Sequence, residues 1–518
     1  MNSKRIISGL AAAVITMSCM NFVGYAEENN TDTGSVVTIA QNEGDPSEED
    51  PEYDFTDGDF QCYIYEDGNT VDIMGYTGNA ANVTIPATVK NKEGKSMKVI
   101  SVSGAFFYNT SISSVTIPEG VAAIEDSAFE GCTSLTSVKL PSTLNTIGYN
   151  AFSGCSKLTA ITIPGSVATI GDGAFDGCSK LKTVTMPTSA GYIGSSAFSG
   201  CSSLESIKIP SGVTAIEYNT FSNCSALKTA TISNTVTDIG EFAFSGCTSL
   251  TTLNMGSKVK NIGDNAFEKC SSLTSVAIPN STESIGKEAF LNCTKLATVT
   301  IGSGVKSIGE SAFAGTAWLA NKKAQSSLVI ENNILIDGTK ASGSVKIPSG
   351  VTSIAASAFR GCTGLTAVNI PESVTSVGEN AFLDCSAMKS VYIPASVTSV
   401  GSMAFGYKTS MGEEEECVKI EGFKIACYIG TEAELYADDN GFAIEVRGTL
   451  VNYGDVDGSG GKPNLNDLGL LQQYVCDWDV TIDKAAADVN RDGLVNLNDL
   501  GLLQQYICDW DVKLGKRV

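Results

Sequence analysis

The sequence predicts a repeat solenoid of 23-residue coils with a parallel sheet along one side, followed by a small all-α module of two loop-helix units. Three observations carry this. Phe106, Phe129, Phe152, Phe175, Phe198, Phe221, Phe244, Phe267, Phe290 and Phe313 stand 23 residues apart, and after a station held by Ile336 the series resumes at Phe359, Phe382 and Phe405. Ten cysteines keep one fixed offset from that series. Near the C-terminus NLNDLGLLQQYVCDWDV, from Asn464, returns 32 residues later with only Val475 changed, to Ile507. At 518 residues the chain exceeds the usual single-core limit, and a stack of coils grows without enlarging its core.

The first 26 residues read as a secretory signal. Lys4 and Arg5 precede an apolar run from Ile6 to Met17, and Gly24 and Ala26 fit the small-residue cleavage pattern. Cys19 raises a lipid-anchored alternative, against which Thr16, Met17 and Ser18 form a poor attachment context. No second apolar run approaches membrane-spanning length, so the expectation is an exported, soluble chain with no membrane span. Residues 27–57 are acidic, polar and without period, the composition of a flexible leader.

Residues 58–446 form the array. In AFEGCTSLTSVKLPSTLNTIG, Ala128 to Gly148, the run SVKL alternates like a strand, so Val138 and Leu140 point one way and Lys139 the other. Pro141 ends the strand, Leu144 and Ile147 continue the interior, Gly148 turns the corner, and Ala151 and Phe152 refill the core. Fourteen such coils at the roughly 4.8 Å spacing of paired strands give a rod on the order of 70 Å long. WLANKKAQSSLVIENNILIDG, from Trp318, keeps the register over two periods and reads as a modified coil. Strands between Gln61 and Met74, and the segment FKIACYIGTEAELYADDNGFAIEV from Phe423, read as end caps.

Cys132, Cys155, Cys178, Cys201, Cys224, Cys247, Cys270, Cys293, Cys362 and Cys385 share one station. Side chains at one station of stacked coils run parallel, whereas a disulfide needs them to converge, so a buried ladder of free thiols is expected in place of cross-links. The cysteines lack the paired spacing of metal ligands, and with no histidine in the chain they lack an activating base. A net charge of -23 argues against nucleic acid and anionic membrane as partners. The exposed strand stations, from Lys139 and Thr162 through Lys208, Asn254 and Thr300 to Tyr392, show no run of aromatics and no focused carboxylates.

After a linker at 447–452, residues 453–518 form the duplicated module. DVNRDGLVNLND, from Asp488, follows the EF-hand calcium loop, with oxygen ligands at the first, third, fifth, ninth and twelfth places and glycine at the sixth. The expected ligands are Asp488, Asn490, Asp492, Asn496 and Asp499, with the Leu494 carbonyl at the seventh place. An Asp at the last place, where an ordinary EF-hand has Glu, departs from that pattern. The first copy, DVDGSGGKPNLND, is one residue longer, and Asp455, Asp457, Ser459, Asn464 and Asp467 align if one residue bulges near Gly460 and Gly461. Each loop leads into an amphipathic helix with Leu468, Leu471 and Val475, or Leu500, Leu503 and Ile507, on one stripe. Leu470, Tyr474, Leu502 and Tyr506 lie beside it, an apolar excess open to a partner.

Two families are resembled. The recurrent AF, C, L and IP stations resemble the BspA-like bacterial leucine-rich repeats, although the cysteine stands three residues after the phenylalanine and not just after the strand. The twin loop-helix units, each without the preceding helix of an ordinary EF-hand, resemble a type I dockerin. That resemblance implies two calcium ions and docking onto a cohesin of a cellulosome-type scaffold. The recognition residues it implies are Leu465, Asn466, Gln472 and Gln473, with Leu497, Asn498, Gln504 and Gln505. The expected protein is secreted, associated with a cellulosome or cell surface, and non-catalytic, its solenoid presenting an extended surface to a protein or glycan. The alternatives are a polysaccharide-degrading enzyme of the same scaffold and a spacer with no ligand.

Overall fold

The computed structural model describes residues 53–410, 416–449, 453, 455–458, 462–476, 480–490 and 494–508. The expected signal segment and most of the leader lie outside these residues, as do Ser459, Asp492 and the bulge at Gly460 and Gly461. Among the described residues no helix is long and apolar enough to cross a membrane.

Each coil turns three corners, and each side bonds to the next coil. The first side is the expected strand: Ser114–Thr116 pairs in parallel register with Ser137–Lys139, and Thr229–Thr231 with both Ser206–Lys208 and Thr252–Asn254. The second is a further parallel ladder that sequence reading assigned to the interior without giving it a strand. Its two-residue rungs include Thr146–Ile147, Thr169–Ile170 and Tyr192–Ile193. The third consists of turns bonded between coils, with the Phe129, Phe152 and Phe175 N–H groups each donating to the alanine carbonyl 22 residues on at 2.8 Å. Nearly all backbone groups of the coil are thereby satisfied away from water, which lets so small a cross-section hold an apolar interior.

That interior is a set of columns. Leu144, Ile147, Ala151 and Phe152 are fully buried. From Phe106 to Phe313 the phenylalanine rings stack at centroid separations of 5.0 to 5.5 Å and near-parallel planes, the offset geometry that ring quadrupoles favour. Beside them run the expected thiols, all ten unpaired and buried. Each donates backward to a carbonyl of the preceding coil, as Cys155 Sγ does to Phe129 O at 3.2 Å and Cys178 Sγ to Phe152 O at 3.1 Å. Parallel side chains here find a backbone acceptor instead of one another. Burial pushes the Cys247 thiol up to about 12, so that sulfur stays protonated.

The ends are closed. Phe55–Asp57, Phe60–Ile64 and Thr70–Tyr76 form an antiparallel cap, with Tyr76 covering Phe106 at 5.0 Å. The cap starts inside the expected leader: Phe55 is already buried, an anchor that the acidic residues around it concealed. At the interrupted station, helix α1 (Ala317–Gln325) lays Trp318 against Phe313 at 5.0 Å, and a hairpin of Val329–Glu331 and Ile334–Asp337 carries the ladder on. The core runs through this modified coil unbroken. The last cap is Lys424–Ile429, helix α2 (Glu432–Asp439) and Ala443–Thr449. Its Tyr436 hydroxyl donates to Phe405 O and accepts from Phe405 N, both at 2.9 Å, closing the phenylalanine column. That final strand occupies the first residues of the expected linker, because it completes the sheet edge.

The C-terminal module contains α3 (Leu465–Val475), α4 (Lys484–Ala487) and α5 (Leu497–Ile507). Its core is separate and small: Val456, Leu471, Ala487, Val489 and Leu503, with Leu468, Val475, Leu500 and Ile507 packed around them.

Candidate calcium loops and docking face

The two loops are framed in the same way. In the first, Asp467 Oδ1 accepts from the Asp457 N–H at 3.1 Å and Oδ2 from the Asn464 N–H at 2.8 Å. In the second, Asp499 accepts from the Asn490 N–H at 3.2 Å and the Asn496 N–H at 2.9 Å. Asn464 and Asn496 close the reciprocal capping box, each side chain accepting from the N–H two residues on at 2.8 Å. Sequence reading cast these four residues as ligands only. The cap was visible as N-x-x-D before an apolar run. A capping oxygen keeps a second lone pair, so the two roles are compatible.

The two frames match although the first loop is one residue longer. The third and ninth places, Asp457 and Asn464, are seven residues apart, and Asn490 and Asn496 are six apart. The bonds to the twelfth-place aspartate are nonetheless the same.

Asp455, Asp457 and Asp467 each offer a carboxylate oxygen within 4.8 Å of the others, with Asp455 and Asp467 buried. Such a convergence of hard oxygens fits a calcium ion, which takes six to eight oxygens in a flexible cage. In the second loop Asp499 and Asn490 are buried and Asp488 is half-buried. The Leu494 side chain is exposed at the loop's far end.

Of the residues expected at the docking face, Leu465 and Leu497 are 72% and 68% exposed at the first turns of α3 and α5. Asn466, Gln472, Asn498 and Gln504 are also exposed, and Gln473 and Gln505 are half-buried. Leu470 and Leu502, expected to be open to a partner, are instead half-buried against the module's core. Among the described residues that core has five fully buried side chains, and the leucines beside the stripe pack against them. Tyr474 packs under Lys484, whose ammonium lies 5.4 Å from its ring centre.

Comparison with known proteins agrees with both parts. The sequence matches the BspA type leucine rich repeat region over residues 100–228, 214–342 and 329–420, and the chain belongs to that family. Residues 453–508 match the type I dockerin domain, a class that binds calcium. No curated protein matches. Among solved structures, a leucine-rich repeat protein from Bacteroides ovatus is 28% identical over 66% of this chain and 95% of its own, with a TM-score of 0.40. A leucine-rich repeat protein of T. pallidum is 30% identical over 37% of this chain and 88% of its own, with a TM-score of 0.34.

Proposed function

We propose that this is an exported, non-catalytic component of a cellulosome-type assembly. In this reading residues 1–26 direct export, the array up to about residue 446 presents a binding surface, and residues 453–518 dock onto a cohesin. Calcium at two sites is required for docking. Asp455, Asp457, Ser459, Asn464 and Asp467 hold the first ion, and Asp488, Asn490, Asp492, Leu494, Asn496 and Asp499 the second. The cohesin is read by Leu465, Asn466, Gln472 and Gln473 or by their twins Leu497, Asn498, Gln504 and Gln505.

The observation that carries this reading is the convergence of Asp455, Asp457 and Asp467 at the head of an exposed helix face, within a segment that matches a dockerin. Three close carboxylates favour a bound cation, and the cation fixes the loop that aims Leu465 outward. Titration calorimetry of the full chain with a type I cohesin tests it. Binding is expected in calcium and absent in chelator. Binding that ignores chelator would refute the metal's role, and no binding to any cohesin would refute the docking role. Release of reducing sugar from plant polysaccharide by the purified chain would overturn the non-catalytic reading.

A further inference from the structure

The second ladder exposes a face that strand-station reading did not consider. In a repeat array the neighbouring coils are an internal standard, and departures from it on the surface are not needed for packing. Three tyrosines depart together. Tyr149 stands where other coils carry Asp126, Asp172 or Ser195; Tyr218 is at the same station. Tyr192 stands where others carry Ala123, Thr146 or Thr169. They are 54%, 50% and 41% exposed. Glu217 stands at a station held by glycine in Gly148, Gly171, Gly194, Gly240 and Gly263, and shared with Glu125.

These residues form one strip. The Tyr192 hydroxyl donates to Asp172 Oδ1 at 3.0 Å, and the same oxygen accepts from the Ser195 N–H at 2.9 Å, which orients ring and carboxylate together. Burial raises the Glu217 carboxyl, as do the nearby charges of Asp172 and Asp238. The Tyr218 ring is braced edge-on by Phe242 at 5.9 Å.

The ladder also opens beside Glu217. A Cβ on Gly171 would lie 2.6 Å from the Gly148 backbone, so between those two coils the corner leaves room for no side chain. The Glu125 N–H, at the same station, still donates to Val102 O at 2.8 Å, whereas beside Glu217 the short ladder is interrupted between Tyr192–Ile193 and Ala215–Ile216. The Gly194 N–H reaches Ile170 O at 2.9 Å and the Gly240 N–H reaches Ile216 O at 2.7 Å, but the Glu217 N–H makes no such bond to the coil before it. The neighbouring rings Phe198 and Phe221 are 5.5 Å apart, the widest step in the column. The seam therefore leaves backbone hydrogen-bonding groups without their coil-to-coil partners, between two tyrosines.

We propose that this strip is a binding site for a linear, neutral glycan lying along the stacking direction. Its sugar rings would rest on Tyr149 and Tyr218, and its hydroxyls would donate to Asp172, Glu217 and Asp238. Sugar rings offer apolar C–H faces to aromatic rings and hydroxyl donors to carboxylates, and the strip supplies both in alternation. A polymer repeats along a line as the coils do, each step of about 5 Å being near the length of one sugar ring. Carboxylates on a chain of net charge -23 repel a polyanion. A protein partner would need a contiguous, water-excluding apolar centre, whereas these rings are separated by acids.

The proposal rests on reading the solenoid as the binding part of the protein, and the test keeps it apart from docking. The full chain, in calcium, is run through gels containing mixed-linkage β-glucan, glucomannan, xyloglucan or polygalacturonate. Retardation is expected with at least one neutral polymer and not with polygalacturonate. The double variant Tyr149→Asp with Tyr218→Ser restores residues that neighbouring coils carry, so it should fold. It should bind the same polymer more weakly, by roughly tenfold for each ring lost. Glu217→Gly removes one carboxylate acceptor and should weaken binding as well. A wild-type chain retarded by no neutral polymer, equal retardation by polygalacturonate, or unchanged affinity in the double variant would each overturn the proposal. All variants should bind cohesin like the wild type; loss of cohesin binding by the wild type itself would count against docking alone.

Discussion

Removing one acid from the first loop should have opposite effects with and without calcium. Asp455 and Asp467 are both buried, with carboxylate oxygens no more than 4.8 Å apart. At an effective dielectric constant of about 20 their repulsion is at least about 3 kcal/mol. A module of this size has little stability in reserve against that. Asp455→Asn removes the repulsion and keeps Asp467, whose bonds to the Asp457 and Asn464 N–H groups frame the loop. Without calcium the variant should therefore be more stable than the wild type by up to about 3 kcal/mol. With free calcium at one hundred times its dissociation constant, the wild type gains about 2.7 kcal/mol that the variant largely forgoes. The assay is amide exchange of residues 465–475 and 497–507 in full-length protein, in calcium and in chelator, with the coils as internal reference. A variant destabilised under both conditions would refute the electrostatic account, and wild-type exchange indifferent to chelator would refute the metal assignment.

Further outcomes are expected elsewhere. Phe244, fully buried between Phe221 and Phe267 at 5.3 Å on each side, should cost about 4 kcal/mol when replaced by Ala, with faster exchange concentrated in the adjoining coils; a uniform change along the array would contradict nearest-neighbour stacking. The thiol ladder should react slowly with a thiol reagent in the native state, and denaturation without reductant should reveal at least ten free thiols; cross-links found between successive coils by mass spectrometry would defeat this. In the N-terminal cap, burial raises the Asp72 carboxyl to about 6 from its ordinary 3.8, although the Ser101 and Ser103 hydroxyls donate to it. A raised acid binds its proton more tightly when folded, so its contribution is complete below about pH 4 and lost as pH rises through 6. Exchange at Thr70–Tyr76 should report a loss of about 3 kcal/mol over that window, and Asp72→Asn should abolish it. In the dockerin, replacing Asn466, Gln472 and Gln473, or Asn498, Gln504 and Gln505, should weaken cohesin binding modestly and replacing both sets should abolish it; complete loss from one set would rule out two equivalent orientations.

The array was legible because its constraint is periodic. Phe152, Cys155 and Leu158 recur in the coils because each must meet its own kind above and below, so one unit read correctly gives the rest. The second ladder was harder to see: Thr146–Ile147 is only two residues long, and its inward residue looks like any core position. The cap boundary at Phe55 was hidden because one buried aromatic among acids carries no period. In the module the spacing of Asp455, Asp457 and Asp467, which the structure brings together, was readable, but the packing of Leu470 and Leu502 was not. Whether a leucine beside a stripe is covered depends on how little else the core contains.

The two duplications in this chain keep different things, and the contrast bears on function. Successive coils agree at Phe, Cys and Leu, which are buried, and vary at surface stations such as Lys139, Thr162 and Asn254. Packing alone explains that pattern, since a stack constrains its interior and leaves its exterior to drift. The twin units of the dockerin agree on the outside too: Leu465 and Leu497 are both largely exposed, and Asn466, Gln472 and Gln473 have identical counterparts in Asn498, Gln504 and Gln505. No packing requirement acts on an exposed leucine, and its exposure costs solubility. Identity at such positions is expected where both copies present the same surface to one partner. The same test applied to the coils selects Tyr149, Tyr192 and Tyr218, where the exterior departs from its neighbours toward large, costly side chains grouped on one face. In both places the informative residues are those for which burial offers no account.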